Sequence, residues 1–336
     1  MNAHKANYRE FCMNMQVRKT DTSDLIVRGD CMPQIKSVLR RKWLLWLAGF
    51  MVMIIAAFST VSFLLVNSVS ATFTKGSVEE KYAARGTYQV ERQEISDEHG
   101  EKLYRVYFPK SEGSNYPLIV WGNGTGALPD NYDKLFSHLA SWGFVIVDTY
   151  SKTTGTGKEI IAATEYMIDE NDKPGSRYYQ RIQVDHIGAA GHSQGSTGVI
   201  NAHTQFERGE LIQTVVSIAL PDLKYCDPED VYDTSALQVP FFVMGGTRDF
   251  IISPSASNKL ALTTANPEIP ALMAMAKGAA HTAIEQDGGK HRGYLTAWMR
   301  YQLMDDPEAK KAFTGKKAEI LTNDRWKDVY SANLQS

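Results

Sequence analysis

The chain has 336 residues, 43% of them hydrophobic and 22% charged, with a formal net charge of −2. That balance belongs to an ordinary globular protein: it has no basic excess for binding nucleic acid and no charged tail for an ionic polymer. Of three cysteines, Cys12 and Cys31 precede the long apolar segment described next, so Cys226 stands alone in the remainder and no intramolecular disulfide staples it.

The first 31 residues carry no sustained periodicity, and Met32 is an alternative start of translation. Trp43–Val66 then runs for 24 residues without a charged side chain. At 1.5 Å rise per residue, about 20 apolar residues cross a hydrocarbon core of roughly 30 Å. Lys36, Arg40, Arg41 and Lys42 lie just ahead of it, which keeps that flank (residues 1–42) cytoplasmic and sends the rest of the chain outward. The expectation is a single transmembrane anchor over 43–66. A cleaved signal ending near Val69-Ser70-Ala71 is the competing reading, disfavoured because signal cores run to only about 7–15 residues.

A short polar stalk is expected over residues 67–82, followed by one domain over 83–315 and a polar C-terminal tail over 316–336. Tyr88–Ile95 and Leu103–Phe108 alternate polar and apolar residues around Asp97-Glu98-His99-Gly100, the pattern of an antiparallel hairpin. Beyond it the pattern changes. Short apolar runs at Leu118–Trp121, Phe144–Val147, Ile187–Ala190, Val215–Leu220, Phe241–Met244 and Ala271–Ala276 alternate with amphipathic stretches such as Tyr132–Ala140, Glu159–Ile168 and Tyr294–Met304. Runs without strict alternation are buried on both faces. Strand and helix in turn predict an α/β fold with a doubly wound, mostly parallel sheet.

The strongest motif is Gly191-His192-Ser193-Gln194-Gly195, set between the apolar run Ile187–Ala190 and the helix-compatible stretch Ser196–His203. A G-x-S-x-G turn between strand and helix lifts the serine hydroxyl above the sheet edge, beside a helix N-terminus that favours developing negative charge. A serine hydroxyl needs a base and an orienting carboxylate, expected later in the chain. Asp249 follows Phe241–Met244, and His281 follows Ala271–Ala276, both at the strand ends where ligands of open α/β sheets gather. His291 is the competing base, and Arg248 a competing partner for Asp249. His192 should point away from the serine hydroxyl, while His186 and His203 read as structural.

Two backbone N–H groups are also required to hold an oxyanion. Gln194 supplies one, and the glycine-rich loop Trp121–Ala127 supplies the other through Thr125, with Gly124 or Asn123 if the register slips. Thr154–Glu159 imitates a phosphate loop but has Lys152 where that loop needs glycine and Glu159 where it needs Ser or Thr, which rejects it. No H-E-x-x-H and no paired Cys/His spacing points to a metal.

These stretches have a familiar order. Tyr116–Gly126, His138–Thr149, Arg181–Gly195, Val239–Pro254, Gly278–His281 and Tyr294–Phe313 resemble the bacterial cutinase-like polyester hydrolases of the α/β-hydrolase superfamily, over about 200 residues. The resemblance implies Ser193 as nucleophile, Asp249 as acid, His281 as base, Thr125 and Gln194 as oxyanion donors, a shallow cleft, and ester cleavage without a cofactor. Asn123, Gly124 and Asp222 are the further candidate substrate contacts. Asp222 stands where polyester-active members place a tryptophan, and their C-terminal cysteine pair is missing. The expected activity is therefore a membrane-anchored, outward-facing carboxylic ester hydrolase taking a small-molecule or polymeric ester. An amidase or peptidase using the same triad and a non-catalytic binding module on the hydrolase fold are the alternatives.

Overall fold

The computed structural model describes residues 71–111 and 115–334. The expected anchor at Trp43–Val66, with its cytoplasmic flank, lies outside the described residues; among those described, no helix is long and apolar enough to cross a membrane.

One nine-stranded sheet organises the described chain: β1 (Val90–Ser96), β2 (Lys102–Pro109), β3 (Tyr116–Gly122), β4 (Val145–Thr149), β5 (Ile182–His192), β6 (Ile212–Ile218), β7 (Phe241–Gly246), β8 (Ala271–Ala276) and β9 (Trp326–Ala332). Their spatial order is β1-β2-β4-β3-β5-β6-β7-β8-β9. From β4 to β8 every pairing is parallel, and the antiparallel hairpin β1–β2 and the strand β9 close the two edges. In the hairpin turn, the Asp97 carboxylate accepts the N–H groups of His99 and Glu101, each at 2.9 Å.

The absence of alternation in the central strands has a direct cause. Successive side chains of a strand face opposite sides, and here both sides are covered. Ile119 and Trp121, with Phe242 and Met244, enter one core layer; Leu118 and Val120, with Phe241 and Val243, enter the other. The first layer is closed by helices α2 (Asp133–Ser141) and α6 (Arg292–Met304), through Leu135, Phe136, Leu139, Leu295 and Trp298. The second is closed by α3 (Lys158–Asp172), α4 (Gln194–Gln205) and α5 (Ser255–Thr264), through Ile160, Met167, Val199, Ile200 and Leu262.

Both ends of the domain differ from expectation. The stretch expected as a stalk contains helix α1 (Val78–Ala83), capped by Ser77 Oγ, which accepts Glu80 N–H at 3.0 Å. Its Tyr82 is fully buried and donates to Asp306 at 2.8 Å. The supposed tail, residues 316–336, carries a buried Ile320 and Trp326 and the edge strand β9. One carboxylate joins the two ends: Glu79, buried, accepts Trp326 Nε1–H and Asn323 Nδ2–H, each at 2.7 Å. Burial pushes the Glu79 carboxyl above its usual range. From the other side, the Glu319 carboxylate accepts the N–H groups of Val78 at 2.5 Å and Glu79 at 2.9 Å, two of the orphan donors at the start of α1. A polar composition misled here because these polar groups bond one another across about 240 residues of sequence.

Candidate active site

Ser193 sits between β5 and α4 with φ 53° and ψ −122°, a conformation that costs on the order of 1–3 kcal/mol and persists only where the surroundings enforce it. The enforcement is visible. Ser193 N–H donates to Ile218 O at 2.9 Å, continuing the β5–β6 ladder into the turn. On the far side of the serine, a Cβ on Gly195 would lie 2.0 Å from Gly122 O, so only glycine lets the helix start so close to the β3 loop. Ser193 occupies the cap position of α4, yet its hydroxyl makes no cap bond. It turns instead to His281 Nε2, 2.8 Å away.

His281 Nδ1 lies 2.5 Å from Asp249 Oδ2. A carboxylate only accepts, so the proton belongs on Nδ1, which leaves the Nε2 lone pair for the Ser193 hydroxyl. Asp249 is buried, and its other oxygen accepts Ser253 N–H at 3.3 Å. Its partner is therefore His281 and not the neighbouring Arg248. The competing base, His291, is buried elsewhere, with Nε2 at 3.2 Å from Gly245 O and its ring edge-on to Trp326. Burial pushes it down to about 4, so it stays neutral. His192 points away from the Ser193 hydroxyl, as expected, toward Tyr132 and the His281 backbone. His203 is internal, with Nδ1 at 2.9 Å from Gly209 O. His186, read as structural, is instead half-exposed beside Asp185.

A cleft of about 440 Å³ opens over Ser193 and His281, with Thr125, Gln194, Thr197 and Ile252 among its walls. The other substrate candidates fall outside its lining. Asn123 is buried and braces the loop: its side-chain amide N–H donates to Thr149 O at 2.7 Å, and its backbone carbonyl accepts Thr154 Oγ–H at 2.8 Å. Gly124 N–H is taken by Tyr132 Oη at 3.2 Å. Asp222 caps its own turn, accepting Lys224 N–H at 3.2 Å. It is the rest of that loop, Pro221, Tyr225, Cys226, Asp227 and Asp230, that reaches the cleft. Sequence reading passed these over because they lie in a segment without periodicity. The one available signal was its run of acids, Asp222, Asp227, Glu229, Asp230 and Asp233, against the single cation Lys224.

Asp230 is the most telling of them. It is 6% exposed, and its Oδ2 accepts Gln194 Nε2–H at 2.7 Å. Burial, with Asp227 and Glu229 nearby, pushes its carboxyl above the usual range. Among the described residues no group of three or more His, Cys, Asp or Glu side chains is placed to hold a metal ion, and Cys226 is a free thiol.

A family model described as PET hydrolase-like matches residues 71–330. The match spans β1 to β8 and most of β9, and it contains Ser193, Asp249 and His281. With this length of match, joined to a single mostly parallel sheet flanked by helices, the chain belongs to the PET hydrolase-like family, cutinase-like polyester hydrolases of the α/β-hydrolase superfamily.

Proposed function

We propose that the protein cleaves carboxylic esters through an acyl-enzyme on Ser193. The observation that carries this reading is the continuous array Ser193 Oγ, His281 Nε2 and Nδ1, and Asp249 Oδ2, at 2.8 and 2.5 Å, opening into a cleft. His281 takes the Ser193 proton as Oγ bonds to the ester carbon. The carbonyl oxygen gathers negative charge between the N–H groups of Thr125 and Gln194, at the N-terminus of α4. The C–O bond then breaks, and the alcohol leaves with the proton from Nε2. Water, deprotonated by the same nitrogen, releases the acid and restores Ser193. Asp249 holds the imidazole in the Nδ1–H tautomer and stabilises its charged form.

The cleft wall narrows the substrate. Asp230, on the cleft wall with Asp227 and close to Glu229, opposes a further negative charge beside it. A neutral ester is expected to exceed its carboxylate-bearing counterpart in kcat/KM by about tenfold or more, since juxtaposed like charges cost several kcal/mol. Asp230→Asn should shrink that gap. Equal rates for the two esters in the native enzyme would exclude the electrostatic selection. Labelling of Ser193 by a fluorophosphonate, lost in Ser193→Ala, tests the nucleophile. Turnover of amides but not of matched esters would move the activity to an amidase.

We further propose that Trp43–Val66 anchors the protein with its catalytic domain outside the cytoplasmic membrane. The uncharged 24-residue run and the basic flank before it support this reading. The full chain expressed in a bacterium should fractionate with membranes, and externally added protease should reach its catalytic domain. A soluble product beginning near Thr72 would point to a cleaved signal instead.

A further inference from the structure

Behind the proposed catalytic groups lie two side chains that the mechanism does not use. Tyr132, just ahead of α2, is fully buried, and His192 is 2% exposed. Tyr132 Oη is 3.2 Å from Gly124 N and 2.9 Å from His192 Nδ1, and His192 Nε2 is 2.9 Å from the backbone oxygen of His281. These contacts fix their own polarity. A carbonyl oxygen only accepts, so His192 Nε2 carries a proton. A neutral imidazole then offers a lone pair at Nδ1, which Tyr132 fills by donating its O–H. The phenol oxygen is left to accept Gly124 N–H. Burial, with His281 nearby, pushes His192 down to about 3, so it remains the neutral ring this requires. The resulting chain runs in one direction, from Gly124 N–H through Tyr132 and His192 to the His281 carbonyl.

Its two ends matter. Gly124 immediately precedes Thr125, whose N–H is the proposed oxyanion donor, and the other end is the backbone of the proposed base. A Cβ on Gly124 would lie 3.0 Å from His192 Nδ1 and 3.4 Å from Tyr132 Oη, so the loop backbone packs tightly onto the pair and a larger residue would push one of them aside. We propose that Tyr132 and His192 are positioning residues that hold the oxyanion loop and the histidine loop in a common register. This rests on the roles assigned above to Thr125 and His281. Neither side chain touches the substrate. Their effect is on where the donor and the base stand when charge develops, so it belongs to kcat rather than to ground-state binding.

Tyr132→Phe keeps the ring and deletes the hydroxyl. On a small neutral ester it is expected to lower kcat by roughly ten- to a hundredfold, somewhat less than outright loss of an oxyanion donor, with KM little changed. An arylboronic acid, which forms a tetrahedral adduct on serine, should lose affinity by a similar factor. The double variant Tyr132→Phe/His192→Phe should be no slower than the slower single variant, because both break one chain. A packing role alone would lower the melting temperature and leave kcat of the folded enzyme unchanged, which would overturn the proposal. A second measurement does not depend on activity or on any variant folding. Imidazole ¹⁵N spectra of the native protein should show His192 neutral and protonated on Nε2 from about pH 5 to about pH 8, and an Nδ1–H tautomer or a charged ring in that range would break the chain. Native enzyme that cleaves no ester would overturn the functional reading itself, a result distinct from an active enzyme indifferent to Tyr132→Phe.

Discussion

His281→Ala is expected to lower ester-cleaving kcat by about a millionfold, as much as Ser193→Ala, because base and nucleophile act as one unit and their losses do not add. Combining the two should cost little more than either alone. Asp249→Asn should be milder, at roughly ten-thousandfold, since it leaves the atoms in place but spoils the tautomer that Asp249 enforces through its 2.5 Å contact with His281. The informative control is His291, ten residues further along and the competing candidate for the base. Its ring is buried against Trp326, with Nε2 on Gly245 O. His291→Ala should therefore spare kcat of the folded enzyme and instead cost about 1–3 kcal/mol of stability, through a lost buried hydrogen bond and a cavity. Steady-state kinetics beside thermal melting separates the two effects. If His291→Ala were inactive while folded, and His281→Ala active, the base would have to be reassigned.

Trp326→Ala, outside the site, should lower stability by about 3–5 kcal/mol. Trp326 contributes more than apolar area, because its indole N–H is one of two donors that satisfy the buried Glu79 carboxylate. Removing it leaves a buried acid short of a partner as well as a cavity, two of the recognised routes to severe destabilisation. For a domain of this size the melting temperature should fall by about 6–20 °C. Lys327→Ala, at an exposed position of the same strand, should stay within about 0.5 kcal/mol of the native protein. An unchanged melting temperature for Trp326→Ala would mean that β9 and the segment before it are dispensable, as a loose tail would be.

The parts of this protein legible in its sequence are those where local chemistry is specific. The apolar runs at Leu118–Trp121 and Phe241–Met244 could be read as central strands because a strand buried on both faces has no polar side to show. The G-x-S-x-G turn marked Ser193 as the candidate nucleophile because its flanking glycines allow a tight strand-to-helix turn. Asp249 and His281, chosen as the candidate carboxylate and base at strand ends, lie within hydrogen-bond reach, Asp249 of His281 and His281 of Ser193. What tertiary structure alone decided are the interactions between residues remote in sequence. Glu79 and Trp326 each lie in a terminus of polar composition, and are buried where the two termini meet, bonded to one another and packed against Asn323 and His291. Asp230 lies in a segment without periodicity, and its place on the cleft wall follows from its bond to the Gln194 side chain. Tyr132 reads as one aromatic of an amphipathic helix, since nothing local says that its hydroxyl meets a histidine 60 residues on. A side chain's propensity and periodicity are properties of its neighbours in the chain, whereas a buried polar group is defined by the partner that satisfies it, and that partner is chosen only when the sheet brings distant loops to one edge.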